Sequence, residues 1–226
     1  MKRGKKYRET IKKYNPADAY ELKAAMDLVK SMASAKFDET VDLSVKVNLK
    51  KSQSVRDTVV LPNQFKEEKK ILVFCKPEKE KEAQDAGAAF VGADDLIEKV
   101  KGGWIGFDVA VATPDMMKDV GKLGMVLGRK GLMPNPKTGT VTFDLKGALA
   151  ELRKGRTEFR ADKTGVVHLA VGKVSMEAEK LAENVQIVIA EIQRKRPVDA
   201  KGEFVRTISV ASTMGPGVWV SVSKED

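Results

Sequence analysis

The stretch VDLSVKVNL, residues 41–49, decides the reading of the fold. Val41, Leu43, Val45, Val47 and Leu49 alternate with Asp42, Ser44, Lys46 and Asn48. Side chains along a strand point to opposite faces in turn, so one face enters a core and the other meets water or a partner. That is the pattern of an antiparallel or edge-exposed sheet. Arg56 to Leu61 reads as a second strand, stopped by Pro62. The same half-polar texture returns after Gly155. Gly165–Gly172, Phe204–Ser212 and Val218–Val222 are expected strands. Ser175 is expected to cap a long helix reaching about Arg196, with Leu181, Val185, Val188, Ile189 and Ile192 on one face. Near the N-terminus, Asn15-Pro16 or Asp18 is expected to open a helix through Lys30, with Leu22, Ala25, Met26 and Val29 on its apolar stripe.

Between these two regions the pattern changes. Ile71–Cys75 is continuously apolar, as strands buried on both faces are. Charged helices (Glu78–Ala86, Asp94–Val100, Asp115–Leu127, Leu145–Arg153) then alternate with short strands (Ala88–Val91, Phe107–Ala112, Thr140–Phe143). Such alternation describes βαβ units around a mostly parallel sheet. The expected fold class is therefore α+β and α/β. An α+β domain is assembled from residues 1–67 and 160–226, and an α/β block, residues 68–159, is inserted in it. The residues alone leave three consecutive modules as an alternative.

Composition excludes several functions. One histidine and one cysteine in 226 residues, His168 and Cys75, cannot build a Cys/His zinc site. Cys75 reads as a small buried hydrophobe, and His168 as a strand residue before a general base. No apolar run approaches the 18 residues of a membrane span, and no apolar segment follows the basic N-terminus as in a secretory signal. Gly121, Gly124, Gly128 and Gly131 match neither the dinucleotide fingerprint nor the phosphate loop, so no cofactor is expected. A nucleotide-dependent enzyme on the inserted block is the competing class, and a protein-interaction scaffold the third.

The net charge of +9 is uneven. Residues 1–13 hold seven lysines and arginines against one glutamate, and residues 14–226 carry only +3. The basic arm can meet phosphates or simply solubilise. Two loops could also carry binding. In the first, Arg129, Lys130 and Lys137 form a basic loop stiffened by Pro134 and Pro136, with a structural cap over the sheet edge as the equal alternative. In the second, Thr213–Gly217, a plain hairpin turn competes with a turn that packs on ribose or a base edge. Lys36 is a phosphate candidate. Phe37 is either a stacking group or a core anchor, and beside a strand the core role is expected.

The stretches AKFDETVDLSVKVNL (35–49), VRDTVVLP (55–62), FDVAVATPDMM (107–117), LGRKGLMPNPKTGTV (127–141) and ISVASTMGPG (208–217) closely resemble the bacterial-type L1 family of large-subunit ribosomal proteins, essentially end to end. Arg129-Lys130 departs from the family pattern, which usually has a proline and then an arginine there. The resemblance implies a split β-α-β domain I built from both termini and an inserted Rossmann-like, three-layer α/β domain II. It also implies a structural, non-enzymatic and monomeric protein of the cytoplasmic ribosome. Its implied partners are the L1 stalk of large-subunit rRNA, deacylated tRNA leaving the exit site, and the mRNA of its own operon, whose translation it represses. Domain I is the implied main RNA surface. The resemblance carries RNA binding to Lys36, Phe37, Thr40 and Lys46, and to Ser209, Ser212, Thr213, Met214 and Gly215. Contributions from His168, Gly172 and Lys173 are also implied, with Arg129, Lys130 and Lys137 as a secondary basic loop.

Overall fold

The computed structural model describes residues 4–49, 55–65, 69–153, 155–197 and 202–221. In chain order the strands are β1 (Ala19–Tyr20), β2 (Thr40–Val47), β3 (Arg56–Val60), β4 (Ile71–Phe74), β5 (Phe90–Gly92), β6 (Val109–Ala112), β7 (Arg156–Arg160), β8 (Val166–Lys173), β9 (Val205–Ser212) and β10 (Val218–Val220). The α-helices are α1 (Lys5–Ile11), α2 (Leu22–Met32), α3 (Glu80–Asp85), α4 (Asp94–Lys101), α5 (Met117–Val120), α6 (Gly124–Arg129), α7 (Leu145–Arg153) and α8 (Ala178–Arg194). The chain divides into two compact units, Met1–Phe65 with Glu158–Asp226, and Lys66–Thr157.

In the first unit a five-stranded sheet runs β1-β10-β9-β2-β8. β2 lies between β8 and β9 and is antiparallel to both. The connection β8–α8–β9 is thus a β-α-β unit split by β2. The alternation in β2 sends Val41, Leu43, Val45 and Val47 into the core. They meet Ala25, Met26, Val29 and Met32 of α2 and Leu181, Val185, Val188 and Ile192 of α8. Both helices present one apolar stripe, as period 3.6 requires. The opposite sheet face carries the polar residues of the same strands. Buried Asn184 of α8 is fully occupied: its side-chain N–H groups donate to Val171 O (2.8 Å) and Asn63 O (2.9 Å), and its carbonyl accepts from Asn63 N (3.1 Å). This pins the segment after β3 to the core. A smaller sheet pairs β3 with β7.

In the second unit β4 is the centre of a parallel sheet, β5-β4-β6. Its continuous apolar run is explained by two covered faces. Leu72 and Phe74 pack with Leu96, Val100, Val120 and Leu127 on one side. Ile71, Val73 and Cys75 pack with Ala83, Leu145 and Leu149 on the other. The result is a three-layer α/β arrangement. Cys75 is fully buried, and burial raises its thiol pKa, so it is an inert core residue.

Several local expectations are corrected. Residues 19–20 form a short strand, and the helix begins at Leu22. Ser175 does not cap α8, whose N-cap is Glu177; Ser175 instead bonds Asp38. Residues 115–127 are broken into short α and 3₁₀ segments, consistent with the low helix propensity of Gly121 and Gly124. Thr140–Phe143 contributes only the bridge Val141 to Ala112.

The turn before β8 depends on one glycine. Gly165 has φ +76°, and a Cβ there would lie 2.8 Å from the Val47 carbonyl oxygen. That oxygen is backbone and cannot swing aside, while Gly165 O already accepts from Val47 N at 2.8 Å. The Asp162 carboxylate closes the turn by accepting from Val166 N and from Thr164, and these bonds hold its pKa below the usual carboxylate range. Gly165→Ala should cost about 2 kcal/mol, through left-handed strain and the clash. Thermal unfolding measures it, and an unchanged midpoint would refute this account.

Candidate nucleic-acid interface

The phase of β2 continues one step beyond its start. Position 39 lies in register with the inward residues 41, 43, 45 and 47, yet it is a glutamate and only 1% exposed. A charge facing inward must be hydrogen-bonded or it is costly. Glu39 Oε1 accepts from Ser34 N (3.0 Å) and Ala35 N (2.8 Å), and Oε2 accepts from Met214 N (3.0 Å). Burial pushes its pKa up, but the neighbouring Ser212 hydroxyl and the three backbone N–H groups outweigh this and hold it below the ordinary value. Ser212 Oγ is itself buried and lacks a partner of full hydrogen-bond geometry among the described residues. One carboxylate thus ties the 34–37 segment to the 213–215 turn.

A second carboxylate and a hydroxyl extend this tie. Asp38 accepts from Ser175 N (3.1 Å) and Ser175 Oγ (2.8 Å), and Lys173 Nζ lies 3.9 Å away. Thr213 Oγ1 accepts from Thr40 N (3.0 Å) and donates to Thr40 O (3.2 Å). Gly215 N donates to Ser212 O, and a Cβ on Gly215 would fall 2.4 Å from Ser212 Oγ. Three loops, 34–39, 173–176 and 212–215, are therefore fixed against one another at one end of the sheet.

That end presents two large apolar side chains to solvent. Phe37 is 57% exposed and Met214 66%. The core role expected of Phe37 is corrected: the chain bends at residues 36–37, before β2 begins at Thr40, so the strand phase does not reach Phe37 and its ring faces solvent. Lys36 is exposed and Thr40 and Lys173 are half-buried beside them. Lys46 Nζ bonds Thr164 O. On the outer sheet face Ser44 pairs in register with both His168 and Ser209, and its hydroxyl lies 3.0 Å from His168 Nδ1. Gly172 is buried and passes so close to Leu181 that a Cβ would meet it at 2.2 Å, so its visible role is packing β8 on α8. Arg129 and Lys130 are exposed at the end of α6 in the second unit, and the Lys137 side chain lies outside the described residues.

The expected residues of the first unit thus gather on one sheet end and its outer face, apart from Gly172. Glu39 and Asp38, which hold them, are not among the residues that sequence reasoning singles out. A glutamate in core phase is the signal that points to the first. No group of three or more metal-ligating side chains occurs among the described residues. None of their helices is long and apolar enough to cross a membrane.

This end of the sheet is a hydrogen-bonded polar surface from which two apolar side chains protrude. The model of the ribosomal protein L1p/L10e family matches residues 29–216, which reach into both units, and this places the chain among ribosomal RNA-binding proteins that are not enzymes. The chain is 64% identical to large ribosomal subunit protein uL1 of Treponema denticola over 220 residues, covering 97% of each. It is 58% identical to the protein of that name from Treponema pallidum over 226 residues, the full length of both. The Borreliella burgdorferi protein is 54% identical over 97% of each chain. The chain belongs to the ribosomal protein L1p/L10e family.

Proposed function

We propose that the chain binds the L1 stalk of the large-subunit rRNA through the sheet end of its first unit, assists release of deacylated tRNA from the exit site, and represses translation by binding its own operon mRNA. The observation that carries the RNA surface is the Glu39 tie, which presents Phe37 and Met214 in fixed positions before any ligand arrives. A preordered surface loses little entropy on binding and selects RNA by shape, stacking and 2′-hydroxyl contacts. Lys36, Lys46 and Lys173 meet phosphates; Thr40, Ser209, His168 and the 213–215 turn meet sugars and bases, while buried Ser212 supports Glu39 from within. Thr213 acts chiefly by positioning, since its hydroxyl is already bonded to Thr40. Gly172 contributes by close packing. Arg129, Lys130 and Lys137 form a secondary basic surface. The free protein is monomeric and works on the ribosome in the cytoplasm.

Footprinting on intact large-subunit rRNA tests this. Protection should fall on the stalk, and an operon-leader mRNA fragment should compete for the same surface. Protection elsewhere, or simultaneous binding of both RNAs, would reject it. With residues 14–226 nearly neutral, the arm is the main source of bulk charge. Deleting residues 1–13 should flatten the plot of log affinity against log salt by about 0.7–0.9 for each phosphate that the arm neutralises. An unchanged slope would assign the arm to solubility.

A further inference from the structure

The outer face of the five-stranded sheet carries an aromatic ring that the sheet-end site leaves unused. In β10, Val218 and Val220 are buried while Trp219 between them is 43% exposed. Register places Trp219 opposite Ser209, Ser209 opposite Ser44, and Ser44 opposite His168. Directly opposed residues share a face, with Cβ atoms about 5 Å apart. Four adjacent strands therefore line up one row: indole, hydroxyl, hydroxyl, imidazole.

The ring is both accessible and fixed. Its in-register outward neighbours, Ala19 on β1 and Ser209 on β9, are small, and 43% of Trp219 stays exposed. Its strand is held on both sides, by β1 and β9, and Ser221 donates from N (2.8 Å) and Oγ (3.2 Å) to Tyr20 O. Tyr14 Oη donates to Gly217 O at 2.9 Å, anchoring the turn that leads into β10. A tryptophan on such a backbone has only two side-chain torsions to order.

We propose that Trp219 is a stacking subsite for an unpaired base of the bound RNA, with the Ser209–Ser44–His168 row offering hydrogen bonds beside it. The assignment rests on the rRNA-binding reading above and extends its surface from the sheet end across the sheet face. A protein partner fits less well. An interface core needs a contiguous apolar patch, whereas among the described residues of this face Trp219 is the one large apolar side chain that is exposed. A single ring among hydroxyls suits a base, whose flat face stacks and whose edge hydrogen-bonds.

Fluorescence isolates this ring. The other tryptophan, Trp104, lies in the second unit, edge-on to Phe90 at 4.9 Å between ring centroids. In a Trp104→Phe background only Trp219 reports. Titration with a stalk rRNA fragment should quench its emission, with the midpoint found by filter binding. Trp219→Leu should weaken binding about tenfold, within the range measured for loss of one base–aromatic stack, and Trp219→Phe should restore most of it. Full-affinity binding with no quenching, or unchanged affinity in Trp219→Leu, overturns the subsite and leaves the stalk reading standing. Unchanged RNA affinity with poorer incorporation into ribosomal particles overturns it in favour of a protein contact. Absence of stalk binding by the unmodified chain overturns both.

Discussion

Replacing Glu39 by alanine should lower stability by about 2–4 kcal/mol, because three backbone N–H groups in a partly closed site lose their acceptor. RNA affinity should fall further, by about a hundredfold. With the carboxylate gone, the 34–37 segment loses its anchor and the 213–215 turn keeps only its bonds to Thr40 and Ser212, and each residue re-ordered on binding costs about 1–2 kcal/mol. Glu39→Gln should lie between, since its amide oxygen can still accept while its NH₂ faces the N–H donors. The pH dependence has a definite sign. A carboxyl whose pKa is lower folded than unfolded stabilises the fold fully above the unfolded value. That stabilisation is lost as pH falls through the folded pKa. The Glu39 contribution to affinity and stability should be flat through neutral pH and drop in acid, and Glu39→Gln should remove part of the acid drop. Thermal melting and filter binding from neutral to acid pH measure all of this. An alanine variant that binds stalk RNA like the parent would show that the loops are held by other means.

Period-2 alternation makes most of the larger sheet legible, because burial on one face leaves a mark at every second residue. β8 and β9 are read within a residue of their observed ends, and β2, read over 41–49, within two. β4 is equally plain because both its faces are covered. β7 is not legible: only Phe159 of its five residues is buried, too little to establish a phase. β1 has two residues, and its place is set by pairing with β10 at the far end of the chain. The site divides in the same way. Residues in loops of unusual composition, such as Thr213 to Gly215, draw attention in one dimension. Glu39 and Trp219 do not, because their meaning lies in which way they face. Phe37 defies the core expectation for a related reason: proximity to a strand is not membership of it, and the bend at residues 36–37 takes Phe37 out of the strand's phase.

Met214→Asp should weaken stalk RNA binding by about a hundredfold or more while leaving the fold intact. Met214 is 66% exposed, so the core does not depend on it. Covering such a side chain with RNA contributes about 1.5–3 kcal/mol, and a carboxylate in its place also repels phosphate. Met214→Leu, similar in volume and polarity, should stay within a few-fold of the parent. Thr213→Val supplies the contrast. Its hydroxyl bonds both the N–H and the C=O of Thr40, so the valine variant loosens the turn without adding charge. Its loss should be smaller, about tenfold, and should appear in thermal stability as well. Salt separates the two mechanisms. The excess loss in Met214→Asp over Met214→Leu should shrink as salt screens the carboxylate, whereas the loss in Thr213→Val relative to the parent should be nearly constant. Parental affinity in Met214→Asp would remove the 213–215 turn from the RNA surface, and equal salt dependence in all three variants would reduce its role to folding.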